Sequence, residues 1–203
     1  MVNQARLTDH RAMNLTFHSE RLNFAPYTPD DLDLSLALFT DPVVLRYAGE
    51  VMSEQYIKAN MSSWSRRGGD GGIGIWTVSD RQTGEKYGSA ALLPMPVEED
   101  ETDFSLLVPG QMPECDIEIG YFLKRSAWGF GYATEACRRL LKFAFEETPL
   151  AEVVATFHRE NLASRNVLVK AGFIDRGTMR CYGKDDGLNF RITRDEWLQQ
   201  QST

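Results

Sequence analysis

Three cysteines and three histidines in 203 residues leave little material for disulfide or metal chemistry. Cys115, Cys137 and Cys181 are odd in number, widely spaced and form no CxxC pair, so neither a disulfide framework nor a zinc site is expected. His10, His18 and His158 show no ligand spacing, and no metal is expected. Cysteine usage of this kind suits a reducing compartment. No apolar run approaches the ~20 residues of a membrane span, and residues 1–14 are polar and lack the apolar core of a signal peptide. A cytoplasmic protein with no membrane partner is therefore expected. GxxxxGK[ST] occurs nowhere, which excludes a P-loop. No GxSxG elbow occurs either, and no cysteine sits in a nucleophile motif, so a covalent acyl-enzyme has no support.

What is present is ordinary globular composition. With 42% hydrophobic and 25% charged residues, the chain suits one domain with a sizeable core. We expect that domain over 15–198, with short tails at 1–14 and 199–203. The formal net charge of −7 argues against a general nucleic-acid binder and leaves room for a cationic or amine partner.

The chain is organised around Trp128-Gly129-Phe130-Gly131-Tyr132-Ala133-Thr134, which follows a strand-like run and opens a long amphipathic pattern from about Ala133 to Glu147. Two glycines one residue apart let the backbone turn sharply and let an anion approach it closely. The helix start beyond them has unpaired N–H groups and partial positive charge, so a phosphate is the natural guest. The bland alternative is a plain glycine-rich turn. A dinucleotide fingerprint GxGxxG competes, but it needs Gly or Ala where Thr134 stands, and Lys124 to Trp128 intervene after the strand. The next strand, Glu152 to Phe157, ends at His158 with no carboxylate placed for a ribose.

Elsewhere the pattern alternates strands with helices. Glu20 to Pro26 reads as a first strand. Thr28 or Asp30 can cap a helix to about Phe39, and Ser53 one to about Arg67, closed by Gly68-Gly-Asp-Gly-Gly72 as a flexible linker. Ile73 to Ser79 and Lys86 to Leu93 form a hairpin, and Pro94 to Pro113 a long loop whose Glu98-Glu-Asp-Glu101 run is either a solvated surface or an attractor of a cationic peptide. In Glu114 to Leu123, Ile117, Ile119, Tyr121 and Leu123 point one way, while Asp116 and Glu118 share the other face. The following helix puts Ala136, Cys137, Leu140 and Ala144 on the sheet, with Glu135, Arg138 and Arg139 toward solvent. Asn161 opens a further helix that Gly172 closes, and Phe173 to Tyr182 with Leu188 to Thr193 make a final hairpin.

Glu118-Ile-Gly-Tyr-Phe-Leu123, Trp128-Gly-Phe-Gly-Tyr-Ala-Thr-Glu-Ala136, and Asn161-Leu-Ala-Ser164 running to Lys170-Ala-Gly-Phe173 together resemble the GNAT acetyltransferase family, specifically its RimJ/RimL-like branch. Ser19-Glu-Arg-Leu22 and Arg191-Ile-Thr-Arg-Asp-Glu-Trp197 extend the likeness over most of the chain. The resemblance implies a single-domain α/β (α+β) GNAT-like fold: a central twisted, mixed but mostly antiparallel sheet of about six to seven strands flanked by about four helices. It implies direct acetyl transfer from acetyl-CoA to a primary amine, on a small molecule or at a protein N-terminus, by a monomer or homodimer.

By the same resemblance, the backbone of Trp128, Gly129, Phe130, Gly131, Tyr132, Ala133 and Thr134 holds the pyrophosphate, and Tyr121, Phe122 and Leu123 pair with the pantetheine arm like an added strand. Trp128 stands where many members have Arg or Gln, so one cationic phosphate contact is absent. Glu118 is the candidate general base, directly or through water, and Asp116 ranks below it. A carboxylate of reference pKa about 4.3 needs raising by burial for that task. Asn161 would contact pantetheine or simply cap its helix, and Ser164 would touch coenzyme A or protonate the departing thiolate. The usual Tyr acid, seven residues after the Asn, is Leu168 here, which leaves Ser164, water or, more distantly, Tyr182. Two other readings stay open: a catalytically silent acyl-CoA-binding module, and a nucleotide-binding protein that uses the same loop.

Overall fold

The computed structural model describes residues 13–202. The expectation of a tail over 1–14 falls mostly outside them; Met13 packs against the core, as does Leu15, the first residue of the expected domain, whose carbonyl accepts the Trp76 indole N–H. Among the described residues, eight strands form one sheet: β1 Phe17–His18, β2 Leu22–Pro26, β3 Gly74–Asp80, β4 Lys86–Pro94, β5 Ile117–Leu123, β6 Glu152–Ala155, β7 Ile174–Cys181 and β8 Lys184–Thr193. Their order is β1-β2-β3-β4-β5-β6-β8-β7, and every neighbouring pair is antiparallel except β5 with β6. Five α-helices among the described residues accompany them: α1 Leu32–Phe39, α2 Glu54–Trp64, α3 Tyr132–Glu147, α4 Leu162–Ala171 and α5 Arg194–Gln201. The expected six to seven strands and four helices thus become eight and five; the additions include two-residue β1 and the polar helix α5, which runs past residue 198.

Local chemistry accounts for the helix ends. Thr28 and Asp31 make a reciprocal capping box ahead of α1, Ser53 caps α2 through the Tyr56 N–H, and Thr193 with Glu196 boxes the start of α5. Ser65 ends α2 at Trp64, three residues short of the expected Arg67, and its hydroxyl donates to the Met61 carbonyl. The glycine run that follows is no loose linker: Gly69 N–H donates to the Gln111 carbonyl and Gly110 N–H to that of Gly69, which ties it to the 108–112 turn.

The core lies between α3 and the sheet. Ala136, Cys137, Leu140, Phe143 and Ala144 of α3 are buried against Phe24, Trp76, Ile117, Ile119 and Val153. A second cluster covers the other face, because successive side chains of a strand point to opposite sides. Trp76 belongs to the α3 core, and its neighbour Ile75 packs with Ile57, Met61 and Trp64 of α2 and with Leu36 and Phe39 of α1.

The feature that positions the site is the failure of β5 and β6 to stay together. Seven register pairs join β4 to β5, whereas Glu118↔Val154 is the one pair that joins β5 to β6. From Ile119 onward, the β6-facing edge of β5 has no strand partner among the described residues. The Thr156 N–H, one residue past β6, donates to the Glu118 carboxylate rather than to a strand carbonyl.

Candidate active site

A cleft of 1940 Å³ opens where the two strands separate. Its floor is β5; α1, α2 and the 100–105 loop bound one end, and the glycine loop with the first turns of α3 and α4 bounds the other. All thirteen residues expected at the site fall in or beside this cleft; of them Phe130 alone is not part of its wall.

Glu118 sits on β5 at the last paired position, so its carboxylate faces the opening. Oε2 accepts the Tyr182 hydroxyl at 2.5 Å and Oε1 accepts the Thr156 N–H at 3.3 Å. Burial pushes its pKa up to about 7, and the two hydrogen bonds pull it the other way. Asp116, which shares the strand face, is engaged elsewhere: Arg191 bridges it and Glu152, each at 2.6 Å. The sequence offers Tyr182 only as a distant candidate acid. Its hydroxyl is the partner of Glu118, and burial with that neighbouring carboxylate holds its pKa well above the usual phenol value. It lies in the β7–β8 turn with φ +50, an uncommon conformation for a non-glycine residue, and its N–H is held by the Pro96 carbonyl.

On the opposite face of β5, the Tyr121 hydroxyl lies 3.0 Å from Ser164 Oγ. Asn161 caps α4, its Oδ1 accepting the Ser164 N–H at 3.1 Å, so the helix-cap reading of Asn161 is realised here. Leu168 is buried in the core at 1% exposure and presents no acid. Phe122 packs edge-on against Phe39, and the Leu123 carbonyl accepts the Trp128 indole N–H at 2.8 Å, which fastens the glycine loop to the end of β5.

The loop fits an anion. Gly129 and Gly131 have φ of +84° and +79°, and a Cβ built at Gly129 would meet nothing within 4 Å. The glycines are therefore not there to relieve crowding in the protein; they leave open space beside a backbone in a left-handed conformation. Gly131 caps α3 without any side-chain hydrogen bond, and among the described residues no side chain takes up the first-turn N–H groups of this sixteen-residue helix. Trp128, Tyr132, Ala133 and Thr134 line the same end of the cleft. Glu135, expected to face solvent, is drawn back instead: Oε1 accepts the Ser19 hydroxyl and the Arg21 N–H, and Oε2 accepts the Arg21 side chain.

A family model described as an acetyltransferase (GNAT) domain matches residues 21–174, three quarters of the chain including β5, the glycine loop and α4. The chain belongs to the GNAT acetyltransferase family. It is 30% identical to an uncharacterized protein, YkkB, of Bacillus subtilis over 76% of this chain and 82% of that protein. It is 28% identical to an FsC-acetyl coenzyme A-N(2)-transacetylase of Aspergillus fumigatus over 92% of this chain and 79% of that one. Its fold matches that of RimL, a ribosomal L7/L12 α-N-protein acetyltransferase solved with coenzyme A, with a TM-score of 0.63 at 14% identity over 88% of this chain and 97% of RimL. This GNAT protein is an N-acetyltransferase with acetyl-CoA as its acetyl donor. No helix among the described residues is long and apolar enough to cross a membrane.

Two features escaped the sequence. The Tyr182–Glu118 contact spans 64 residues and has no local signal. The Arg21–Glu135 pair spans 114 residues, and its members fall in Ser19-Glu-Arg-Leu22 and Ala133-Thr-Glu-Ala136, both quoted for the family likeness but given no role.

Proposed function

We propose that this GNAT enzyme acetylates primary amines of modest basicity, of which the α-amine of a protein or peptide N-terminus is the leading case and a small-molecule amine the other. The observation that carries the reading is the Glu118 carboxylate at the parting of β5 and β6, with a pKa of about 7. An α-ammonium has a reference pKa of about 7.7–8.0 and a lysine ammonium about 10.4. Transfer to Glu118 is then uphill by about one unit for the first and by over three for the second, at 1.36 kcal/mol per unit. The less basic amine asks less of any carboxylate base, and the burial of Glu118 brings both transfers closer to even.

The residues divide the work as follows. Glu118 accepts the ammonium proton, and Tyr182 and Thr156 hold its carboxylate toward the cleft. The free edge of β5 at Tyr121, Phe122 and Leu123 offers backbone groups to the pantetheine arm, and the N–H groups from Gly129 to Thr134 receive the pyrophosphate, the Trp128 N–H being already donated to the Arg125 carbonyl. The bound donor supplies an activated acetyl thioester. Ser164 donates a proton to the leaving sulfur and regains one from solvent in the open cleft by way of the Tyr121 hydroxyl at 3.0 Å, while the attacking nitrogen sheds its second proton to solvent. Asn161, by capping α4, fixes where Ser164 stands. The activity for which the Aspergillus relative is named, acetylation at an N(2) nitrogen, and that for which RimL is named, acetylation of a protein α-amine, both support an amine acceptor.

The test is a panel of N-terminal peptides, lysine-containing peptides with blocked α-amines, and small amines, each followed by release of free coenzyme A thiol. Faster turnover of α-amines at neutral pH is expected. Acetyl-CoA binding with no amine shortening its lifetime would instead favour a silent acyl-CoA-binding module.

A further inference from the structure

We propose that Arg21, the residue immediately before β2, is a positioning residue for coenzyme A: its guanidinium fork ties the glycine loop to the first turn of α3 and sets the phosphate cradle in advance. The proposal rests on the reading of residues 128–134 as that cradle. Arg21 reaches both sides of the loop. Nη1 donates to the Phe130 carbonyl at 3.0 Å, while Nε and Nη2 each lie 2.7 Å from Glu135 Oε2. The Arg21 backbone N–H donates to Glu135 Oε1 at 2.8 Å, and Ser19 Oγ donates to the same oxygen at 2.7 Å. The guanidinium also lies 4.6 Å from the Tyr132 ring centre, and Tyr132 stacks on Tyr87 of β4 at 4.8 Å.

The loop needs such a tie. Gly129 and Gly131 both have positive φ, and a glycine-rich turn loses more conformational freedom on ordering than any other. Gly131 caps α3 with no side chain of its own. Left free, the loop would be ordered at the expense of binding energy when the ligand arrives. The bond to the Phe130 carbonyl fixes one peptide plane, and in a trans peptide it sends the Gly131 N–H the opposite way from Arg21. The contact to Glu135 fixes the helix turn whose N–H groups complete the cradle.

The fork is what matters, because a single guanidinium bridges a carbonyl and a carboxylate at once and an ammonium on a flexible stem does not reproduce that geometry. The experiment compares wild type, Arg21→Gln, Arg21→Lys and Glu135→Ala by calorimetric titration of acetyl-CoA, with hydrogen exchange of loop amides in the ligand-free protein. We expect Kd for acetyl-CoA to rise about tenfold in Arg21→Gln and nearly as much in Arg21→Lys. Exchange at residues 129–134 should quicken, kcat at saturating acetyl-CoA should stay within about twofold, and the acceptor KM should not move. Wild-type Kd in Arg21→Lys would overturn the fork and leave only a charge. A loss of global stability with unchanged loop exchange would reduce Arg21 to a structural residue and overturn the proposal as well. If Arg21→Gln does not fold, Glu135→Ala breaks the same tie with Arg21 in place, and an unaltered Kd there counts against it. Failure of wild type to bind acetyl-CoA would instead sink the cradle reading itself.

Discussion

The Tyr182 hydroxyl donates to Glu118 Oε2 at 2.5 Å, joining the turn between the last two strands to the carboxylate at the parting of β5 and β6. Burial raises the pKa of Glu118 and this bond lowers it, so the value near 7 is a balance of the two. Removal of the donor should tip that balance.

Tyr182→Phe is therefore expected to raise the pKa of Glu118 above about 7. The acid limb of the kcat/KM profile should move to higher pH, with activity lost below neutrality and regained above it. A pH–rate profile of the variant checks this; an unmoved limb would separate Tyr182 from the base.

Glu118 also makes stability depend on pH. Its folded pKa of about 7 exceeds the ordinary value of 4.5, so the contribution it makes is complete below about 4.5 and is lost as pH rises through about 7. Glu118→Gln should thus gain on wild type in Tm at pH 8 relative to pH 4.5, by about 2–4 °C per kcal/mol recovered. Paired melting curves at the two pH values decide it, and an equal difference at both would mean that the carboxylate is not raised.

At the loop, Gly129→Ala and Gly131→Ala should each cost about 1–2 kcal/mol in folding, the penalty for a side chain in the left-handed region, because Gly129 has open space for a Cβ and Gly131 meets only Arg21 Nη2 at 3.7 Å. Gly131→Val adds a branch that the cradle cannot hold. Acetyl-CoA affinity should fall far more than stability in that variant, as read by titration beside a denaturation curve. Unchanged affinity in a folded variant would move the cradle elsewhere.

Ligand choice gives an independent check. Acetyl-CoA at about 100 times its Kd should stabilise the fold by about 2.7 kcal/mol, while NAD and ATP at matched concentration should not. The physical reason is the departure of the loop from both nucleotide fingerprints, with Thr134 where a small residue is needed. A larger shift with NAD would contradict the site described above.

How much of this was legible in the chain depended on whether the signal was local. The stripe Ala136, Cys137, Leu140, Ala144 predicted α3 because its burial repeats at helical period. Gly172 predicted the end of α4 because its φ of +98 suits glycine. Helix α5 was missed because only Trp197 is buried and the rest is polar, although Thr193-Arg-Asp-Glu196 spells a capping box. The start of β8, Lys184-Asp-Asp-Gly187, hid for the same reason: its residues carry no apolar alternation, and pairing with β7 makes it a strand. The separation of β5 from β6 cannot be seen in either strand alone, since β6 reads as an ordinary β-branched run. Asp116 and Glu118 looked alike on the strand, and only Arg191, 75 residues away from Asp116, tells them apart.

The central claim is that Glu118 takes the proton from the amine, and the pH–rate profile of Glu118→Gln on the best acceptor of the panel tests it most directly. The substitution keeps the shape of the side chain and lies away from the glycine loop, so acetyl-CoA affinity should hold while turnover at neutral pH falls about 10²–10⁴-fold. Raising the pH should restore part of the loss, earlier for an α-amine than for lysine, as free amine supplies what the base provided. Near-normal turnover at neutral pH, with chemistry shown to be rate-limiting, would contradict the account and leave Glu118 a structural residue of β5.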